Sequence, residues 1–204
     1  MKTNNKGFSL VEILVSLAIG SIIIVSAYTL LNFSSTSYRH TNYNIKTQQE
    51  AEVTSNFIYE LLLEATDVLV TNASVDGGSY KTVVICNNYY IESSGKYIPM
   101  VRHNFIVYNN DTDKMYYMKI DSATEDLTQT YIEGSVSGIF DDKNLLAEGV
   151  EAFSMTPDKL KANEAMNYSV TIKMNKSQYT CKNSVITRNS ISTPTPAPTP
   201  DPGP

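Results

Sequence analysis

The chain has 204 residues, with 21 acidic against 16 basic side chains, a net charge of −5 and a pI near 5.0. It holds no Lys/Arg run or basic patch, so nucleic-acid binding has no electrostatic support. Fourteen Tyr against six Phe and no Trp, set among many Asn, Ser and Thr, describe a polar, strand-rich domain rather than an enzyme core. The length allows one such domain with a core of ordinary size.

The first element is a short polar leader with Lys2 and Lys6, followed without a gap by an apolar run from Phe8 to Leu31. The only charged side chain in that run is Glu12. About 20 apolar residues at about 1.5 Å rise each span a bilayer core, so the run is long enough to cross. An ordinary secretory signal has a shorter apolar region, about 7–15 residues, and a small-residue cleavage site after it. Here the obvious break, Gly7/Phe8, lies before the run, and a cut there leaves the membrane helix on the mature chain. Lysines ahead of the run predict an N-terminus left in the cytoplasm, with everything after about Asn32 outside the cytoplasmic membrane. A carboxylate within the membrane costs about 2.5–3.5 kcal/mol on insertion scales, so Glu12 calls for a partner. Cleavage at Gly7 would supply one, a cationic amine on Phe8, in the same helix or on a neighbour. A glutamate snorkelling to the interface is the plainer alternative.

The stretch Lys6-Gly7-Phe8-Ser9-Leu10-Val11-Glu12 resembles the processing site of type IV prepilins and type II secretion pseudopilins. The resemblance implies that a prepilin peptidase cuts after Gly7 and N-methylates Phe8. It also implies that Glu12, fifth residue of the mature chain, sets register when a subunit docks into a growing filament.

The next element should continue the same helix, because no Pro or Gly occurs between Leu31 and Asn72. A helical period returns in Ile45, Val53, Phe57, Leu61, Ala65 and Val68, widened by Ile58, Leu62 and Leu69. The expectation is one helix from about Ser9 to Leu69, apolar all round in its first half and amphipathic in its second. Asn72 to Ser79 is a turn-rich break. Strands are then expected over Lys81–Asn87, over Tyr89–Ile91 and Tyr97–Ile98 around a Ser93–Lys96 turn, and over Arg102–Tyr108 and Lys114–Ile120 around Asn109–Asp113. Leu127–Tyr131 is a weaker strand candidate, and Gly134–Asp142 reads as loop. Leu145–Met155 reads as a strand with a bulge at Gly149. Tyr168–Met174 alternates cleanly, and Tyr179–Arg188 is the last strand. Alternation also turns about half of the paired tyrosines, such as Tyr89-Tyr90 and Tyr116-Tyr117, toward a core.

Leu146 to Phe153, Tyr168 to Met174 and the terminal Thr187-Arg188-Asn189 look like the W-type minor pilins and J-type minor pseudopilins. In those, a glycine-valine-x-x-phenylalanine strand pairs with an alternating strand. Cys86 and Cys181 lie in the exported part and are a candidate disulfide pair, since an oxidising compartment permits a bridge. Closing a loop of that size is worth up to about 4–5 kcal/mol in the chain-entropy model; reduced thiols are the alternative. Ser192 to Pro204 carries six of the eight prolines and reads as an extended, unpacked tail. His40 and His103 stand alone, and no nucleophile elbow, phosphate loop or zinc motif is present. Asp111-Thr112-Asp113 reads as a hairpin turn before it reads as a calcium loop.

The reading is an α+β protein: a long N-terminal helix packed on an antiparallel β-sheet ectodomain. Its parts are a leader (1–7), a transmembrane and assembly half-helix (8–31), an amphipathic half-helix (32–71), a β-rich globular domain (72–191) and the Pro/Thr-rich tail (192–204). The resemblance implies a minor pilin or minor pseudopilin that helps start or cap a type IV pilus or secretion pseudopilus. Its implied partners are the major pilin, other minor pilins, the prepilin peptidase and the inner-membrane assembly platform, with residues 8–31 in the membrane. No enzyme activity, cofactor or metal is expected. The alternative is a membrane-anchored, surface-displayed adhesion ectodomain.

Overall fold

The computed structural model describes residues 9–93, 96–122, 127–159 and 164–187. The chain divides into two compact units, Met1–Ile45 and Lys46–Pro204. Helix α1 runs from Leu10 to Leu63 without interruption. In the first unit it is the only described element, apolar and exposed from Leu10 to Leu31.

The second unit is α+β, with two antiparallel sheets. Strands β1 (Asp67–Val75), β2 (Gly78–Ser93), β3 (Lys96–Asn109), β4 (Lys114–Ser122) and β5 (Leu145–Glu148) form a five-stranded sheet in sequence order. Strands β6 (Val150–Thr156), β7 (Met166–Met174) and β8 (Ser177–Val185) form a three-stranded sheet. A short helix α2 (Gln129–Ser135) and a single turn of 3-10 helix (Asp142–Asn144) lie between β4 and β5.

Local chemistry explains most of these boundaries. Asp76 and Gly77 both have positive φ, 49° and 85°, the backbone that a two-residue Asp-Gly hairpin turn requires. The β1–β2 register closes on Val75↔Gly78. Val83, Val84, Ile85 and Cys86 are all buried, which an alternating half-exposed strand would not allow. The five-stranded sheet is covered on both faces, and its interior strand β2 therefore carries a continuous apolar run. One face packs Val83, Ile85, Ile106 and Met115 with Ile58 and Leu62 of α1 and with Phe153, Val170 and Ile172 of the smaller sheet. The other packs Val84, Phe105 and Val107 against Ile132, Val136 and Ile139.

Gly149 is where the chain leaves one sheet for the other. Its φ is +69°, and a Cβ there would lie 2.6 Å from the Lys173 carbonyl oxygen. The flanking bonds fix the switch: Val150 N–H donates to Asp113 at 2.8 Å, and Lys173 N–H donates to Gly149 at 2.8 Å. The expected bulge at Gly149 is thus a crossing point between sheets.

The turn expected over Asn72–Ser79 narrows to Asp76 and Gly77, since β1 runs to Val75 and β2 starts at Gly78, and three expectations about the helices also need correction. The helix ends at Leu63, not near Leu69, and Val68–Val70 belong to β1. The Thr66 N–H and hydroxyl both donate to the Cys86 carbonyl, at 2.7 and 2.9 Å, so pairing with β2 captures the chain before the helix can continue. Residues 127–131 are not a strand. Thr128 caps α2, its hydroxyl accepting from the Tyr131 N–H, and Gln129 opens the helix. The amphipathic stripe is also rotated. The face that α1 buries in this unit is Thr47, Ala51, Thr54, Ser55, Ile58 and Leu62, while Val53 is 67% exposed. Small and hydroxyl side chains let the helix approach closely, and one of them, Ser55, is held by polar partners from the smaller sheet.

Candidate functional site

The candidate site is the amino-terminal segment that carries Gly7, Phe8 and Glu12. Gly7 and Phe8 lie outside the described residues. Ser9 precedes α1, and its carbonyl accepts from the N–H groups of Glu12 and Ile13 at 3.0 and 3.2 Å, so the first turn closes on it. Glu12 therefore sits in the first turn. A carboxylate is favoured there, because the unsatisfied N–H groups of a helix start carry partial positive charge.

Beyond Glu12 the helix is built for an apolar solvent. Leu14, Leu17, Ile22, Ile23, Ile24, Val25, Leu30 and Leu31 all stand exposed on the helix surface. The hydroxyls in this stretch turn back onto the helix backbone: Ser16 donates to the Glu12 carbonyl at 2.7 Å, Ser21 to Ala18 at 2.7 Å, Ser26 to Ile22 at 2.8 Å and Thr29 to Ser26 at 2.9 Å. No polar hydrogen from these side chains is left to need water. Along one side, Ile13, Ser16, Leu17, Gly20, Ser21 and Ile24 line a shallow apolar furrow. Among the described residues, nothing outside the adjoining helix backbone lies within 4 Å of where a Gly20 Cβ would be, so packing within these residues does not require glycine at that position. The helix is long and apolar enough to cross a membrane, and none of its most apolar window is buried.

The second unit supplies a polar clamp that sequence patterning missed. Tyr168, on β7, donates to the Ser55 carbonyl at 2.7 Å, and Asn183, on β8, donates to the Ser55 hydroxyl at 2.7 Å. The Tyr168 hydroxyl is pushed above its ordinary pKa by burial, which its bonds with Ser55 and Asn183 partly oppose. The clamp brings together residues 113 and 128 positions apart in sequence, and no local signal marks them as partners. His103 and Tyr131 form a second, partly buried contact, at 2.8 Å between Nδ1 and the phenol.

The structure does not bring Cys86 and Cys181 together. Cys86 is buried in β2 on the face toward α2, Cys181 is half-buried in β8 against the opposite cluster, and the two are not bridged. The Asp111–Asp113 segment is a hairpin turn, with the Asn109 side chain accepting from the N–H groups of Asp111 and Thr112. In the tyrosine pairs, Tyr90 is exposed and Tyr89 half-buried, while Tyr116 is buried on one face and Tyr117 packs on the other against Phe57.

Residues 2–28 match the family model described as the prokaryotic N-terminal methylation motif. No curated protein and no solved structure matches the chain. The chain carries the signal of type IV prepilins and pseudopilins, at the head of an exposed apolar helix. Motif and helix together fit a membrane-anchored, processed protein of pilin or pseudopilin type with an extracellular part. The motif implies processing by a prepilin peptidase and assembly with other pilins.

Proposed function

We propose that this protein is a minor pilin or minor pseudopilin: a structural subunit that is exported, cut between Gly7 and Phe8, methylated on Phe8 and drawn from the cytoplasmic membrane into a filament. The observation that carries this reading is the methylation motif at residues 2–28, set on a helix whose large apolar side chains from Leu10 to Leu31 stand exposed among the described residues. Lys2 and Lys6 keep the leader cytoplasmic, and the second unit lies outside. Phe8 to Leu31 would be the membrane and assembly segment, residues 72–191 the displayed domain, and residues 192–204 a tail beyond it.

In the membrane, apolar contact with a neighbour gives no hydrophobic gain over contact with lipid, so van der Waals fit and charge pairing drive association. The Ile13–Ile24 furrow, with Gly20 at its floor, admits a neighbouring helix closely. Glu12 would then pair with the methylated amine of the neighbour's Phe8, and that pair fixes register. The Gly149-Val150-x-x-Phe153 strand, paired here with the alternating strand β7, supports a W-type or J-type place near the filament tip, beside the major pilin, other minor pilins and the assembly platform.

A second reading rests on the β2–β3 hairpin. Its register runs on from Asn87↔Arg102 to Ser93↔Lys96, whereas β1 pairs only as far as Cys86 and β4 only with Val101–Asn109. This ribbon exposes Tyr90, Ile91 and Ile98, a surface suited to adhesion.

The test is the intact mass of the chain in membranes and sheared filaments of its host, for wild type and Glu12→Ala. Wild type should begin at N-methyl Phe8 and enter filaments as a trace component. The variant should be processed but stay in the membrane. A chain beginning at Met1 and confined to membranes would sink the subunit reading and leave the anchored ectodomain.

A further inference from the structure

The face of the five-stranded sheet that meets α1 changes character along its strands. Val83, Ile85 and Ile106 are buried and apolar. The next rows on the same face are polar. Asn104 stands opposite Ile85 on one side and Lys119 on the other, and Arg102 stands between Asn87 and Asp121. Asparagine is depleted in strands, yet Asn104 lies inside β3 and is only 1% exposed. The fold alone does not call for it, because replacing both partners of a buried hydrogen bond by apolar groups is often neutral or stabilising. Departures of this kind from the local pattern gather at functional sites.

A cleft of about 460 Å³ opens at these rows, lined by Asn87, Tyr89, Asn104, Tyr117, Lys119 and, just past the end of α1, Glu64. That volume is in the range of small-molecule sites. The floor groups have fixed orientations. Asn104 Nδ2 donates to the Ile85 carbonyl at 3.2 Å and to Asn87 Oδ1 at 2.9 Å, and Asn104 Oδ1 accepts from the Tyr117 hydroxyl at 2.8 Å. A carbonyl only accepts, so the Ile85 bond settles which end of the Asn104 amide is nitrogen, and the other two bonds follow from it. Asn87 then has its Nδ2 donor to offer the cleft, and Tyr117 a lone pair on its oxygen. Phe57 meets the Tyr117 ring edge-on, with centres 4.8 Å apart, and burial pushes the Tyr117 phenol above its ordinary pKa, so it stays protonated. The charges are matched. Arg102 is committed to Asp121 through two hydrogen bonds, and Lys119 and Glu64 bring one charge of each sign. Among the described residues, Leu61 is the one aliphatic side chain lining the cleft.

We propose that this cleft binds a neutral saccharide, with one ring hydroxyl accepting from Asn87 Nδ2, the adjacent hydroxyl donating to the Tyr117 oxygen, Lys119 donating from the rim and the Tyr89 ring as an apolar wall. Each sugar hydroxyl both donates and accepts, and Asn87 and Tyr117 hold a donor and an acceptor on the same Asn104 amide. The floor is ordered before the ligand arrives, which lowers the cost of binding. An anion would find the guanidinium already paired and would face Glu64. An apolar ligand would bury the amide and phenol groups without partners. The site exists whether or not the chain enters a filament. It gives the adhesion reading a ligand class, and rests on that reading only for the display of the second unit at a surface.

The experiment presents the full chain, in a detergent without a sugar headgroup, to an array of immobilised neutral oligosaccharides, acidic oligosaccharides and extended peptides. The strongest ligand is then titrated by tyrosine fluorescence. Wild type should bind neutral sugars, with little dependence on salt. Asn87→Ala and Lys119→Ala should each weaken binding about three- to tenfold, the range for one hydrogen bond. Lys119 is exposed, so its variant keeps the fold and carries the test if Asn87→Ala, which strips a partner from Asn104, unfolds. No binding to any sugar at millimolar concentration would overturn the proposal. So would wild-type affinity in Lys119→Ala and in a folded Asn87→Ala, a preference for acidic sugars that salt abolishes, or capture of peptides in place of sugars. Tyr90→Ala, on the opposite face of the ribbon, tests adhesion separately. Attachment of wild type to cell surfaces that this variant loses, with no sugar bound by either, would leave the ribbon as an adhesive surface and remove the saccharide site.

Discussion

Leu10–Ile45 and Lys46–Leu63 are parts of one helix, yet they follow opposite rules. In the first, Leu, Ile and Val stand exposed, and each serine or threonine hydroxyl from Ser16 to Thr29 is turned back on the helix's own backbone. In the second, Thr47, Thr54 and Ser55 are buried while Val53 is exposed, and the Ser55 hydroxyl accepts from a strand 128 residues away. The same side-chain chemistry is used locally where the surroundings cannot hydrogen-bond, and at long range where a folded partner can. Each stretch is thus written for its solvent rather than for helix formation as such. The first needs lipid or a neighbouring helix to cover it; the second is already covered by its own sheets.

The comparison breaks most sharply at isoleucine. Ile58 is fully buried in the cluster that joins α1 to both sheets, whereas Ile22 is exposed. Ile58→Ala removes buried methyl groups and leaves a cavity, so it should cost about 2–5 kcal/mol of the unfolding free energy of the second unit. Ile22→Ala should leave that free energy within about 0.5 kcal/mol of wild type. Denaturant unfolding in detergent, followed by near-ultraviolet tyrosine signal, measures both. Equal losses would mean that the exposed stretch contributes to the folded core.

A smaller effect is expected where the chain changes sheets. Gly149→Ala places a Cβ against the Lys173 carbonyl and holds a non-glycine residue at φ +69°. Such left-handed strain costs about 1–3 kcal/mol, and relief requires shifting the Lys173–Gly149 hydrogen bond. The unfolding midpoint should fall. Amide protection should drop first at Lys173 and Val150, while the β2–β3 core around Phe105 keeps its protection. Uniform loss across both sheets would contradict a local crossing point.

These two sites show what was legible beforehand. The prepilin-type signal and the apolar helix could be read because both are local and dense: a fixed spacing of Gly7, Phe8 and Glu12, and a run without breaks. The β3–β4 hairpin and the clean alternation of β7 were legible for the same reason. What failed was set by distant partners. Val68 and Leu69 extend a helical period, but β2 recruits them, through Thr66 on Cys86, and no glycine or proline warned of it. Residues 127–131 carry strand-forming Leu, Thr and Tyr, yet Thr128 acts as a cap. Tertiary context overrode local propensity in both places. The Ser55–Tyr168–Asn183 clamp and the division into two sheets were invisible because periodicity says which face is apolar, not which element covers it.

The smallest effect concerns charge at the root of the exposed ribbon. Arg102 makes two hydrogen bonds to Asp121, at 2.8 and 3.3 Å, and lies 5.1 Å from the Tyr89 ring centre. It therefore ties β4 to the first residues of the β2–β3 extension. The hydrogen bond from Arg102 holds the Asp121 carboxyl below its ordinary pKa, against an opposing effect of burial. A carboxyl depressed in the folded state stabilises that state above its unfolded pKa and loses the contribution as pH falls through the folded value. Both side chains are about two-fifths exposed, so screening keeps the effect small and salt reduces it further. Wild type should unfold at a slightly higher temperature than Asp121→Asn at pH 7. The gap should close as pH drops below the ordinary carboxylate range, with amide exchange at Tyr89 and Tyr90 rising in parallel. A gap that stays constant down to pH 2 would mean that the shape of the pair, and not its charge, holds the ribbon to the sheet.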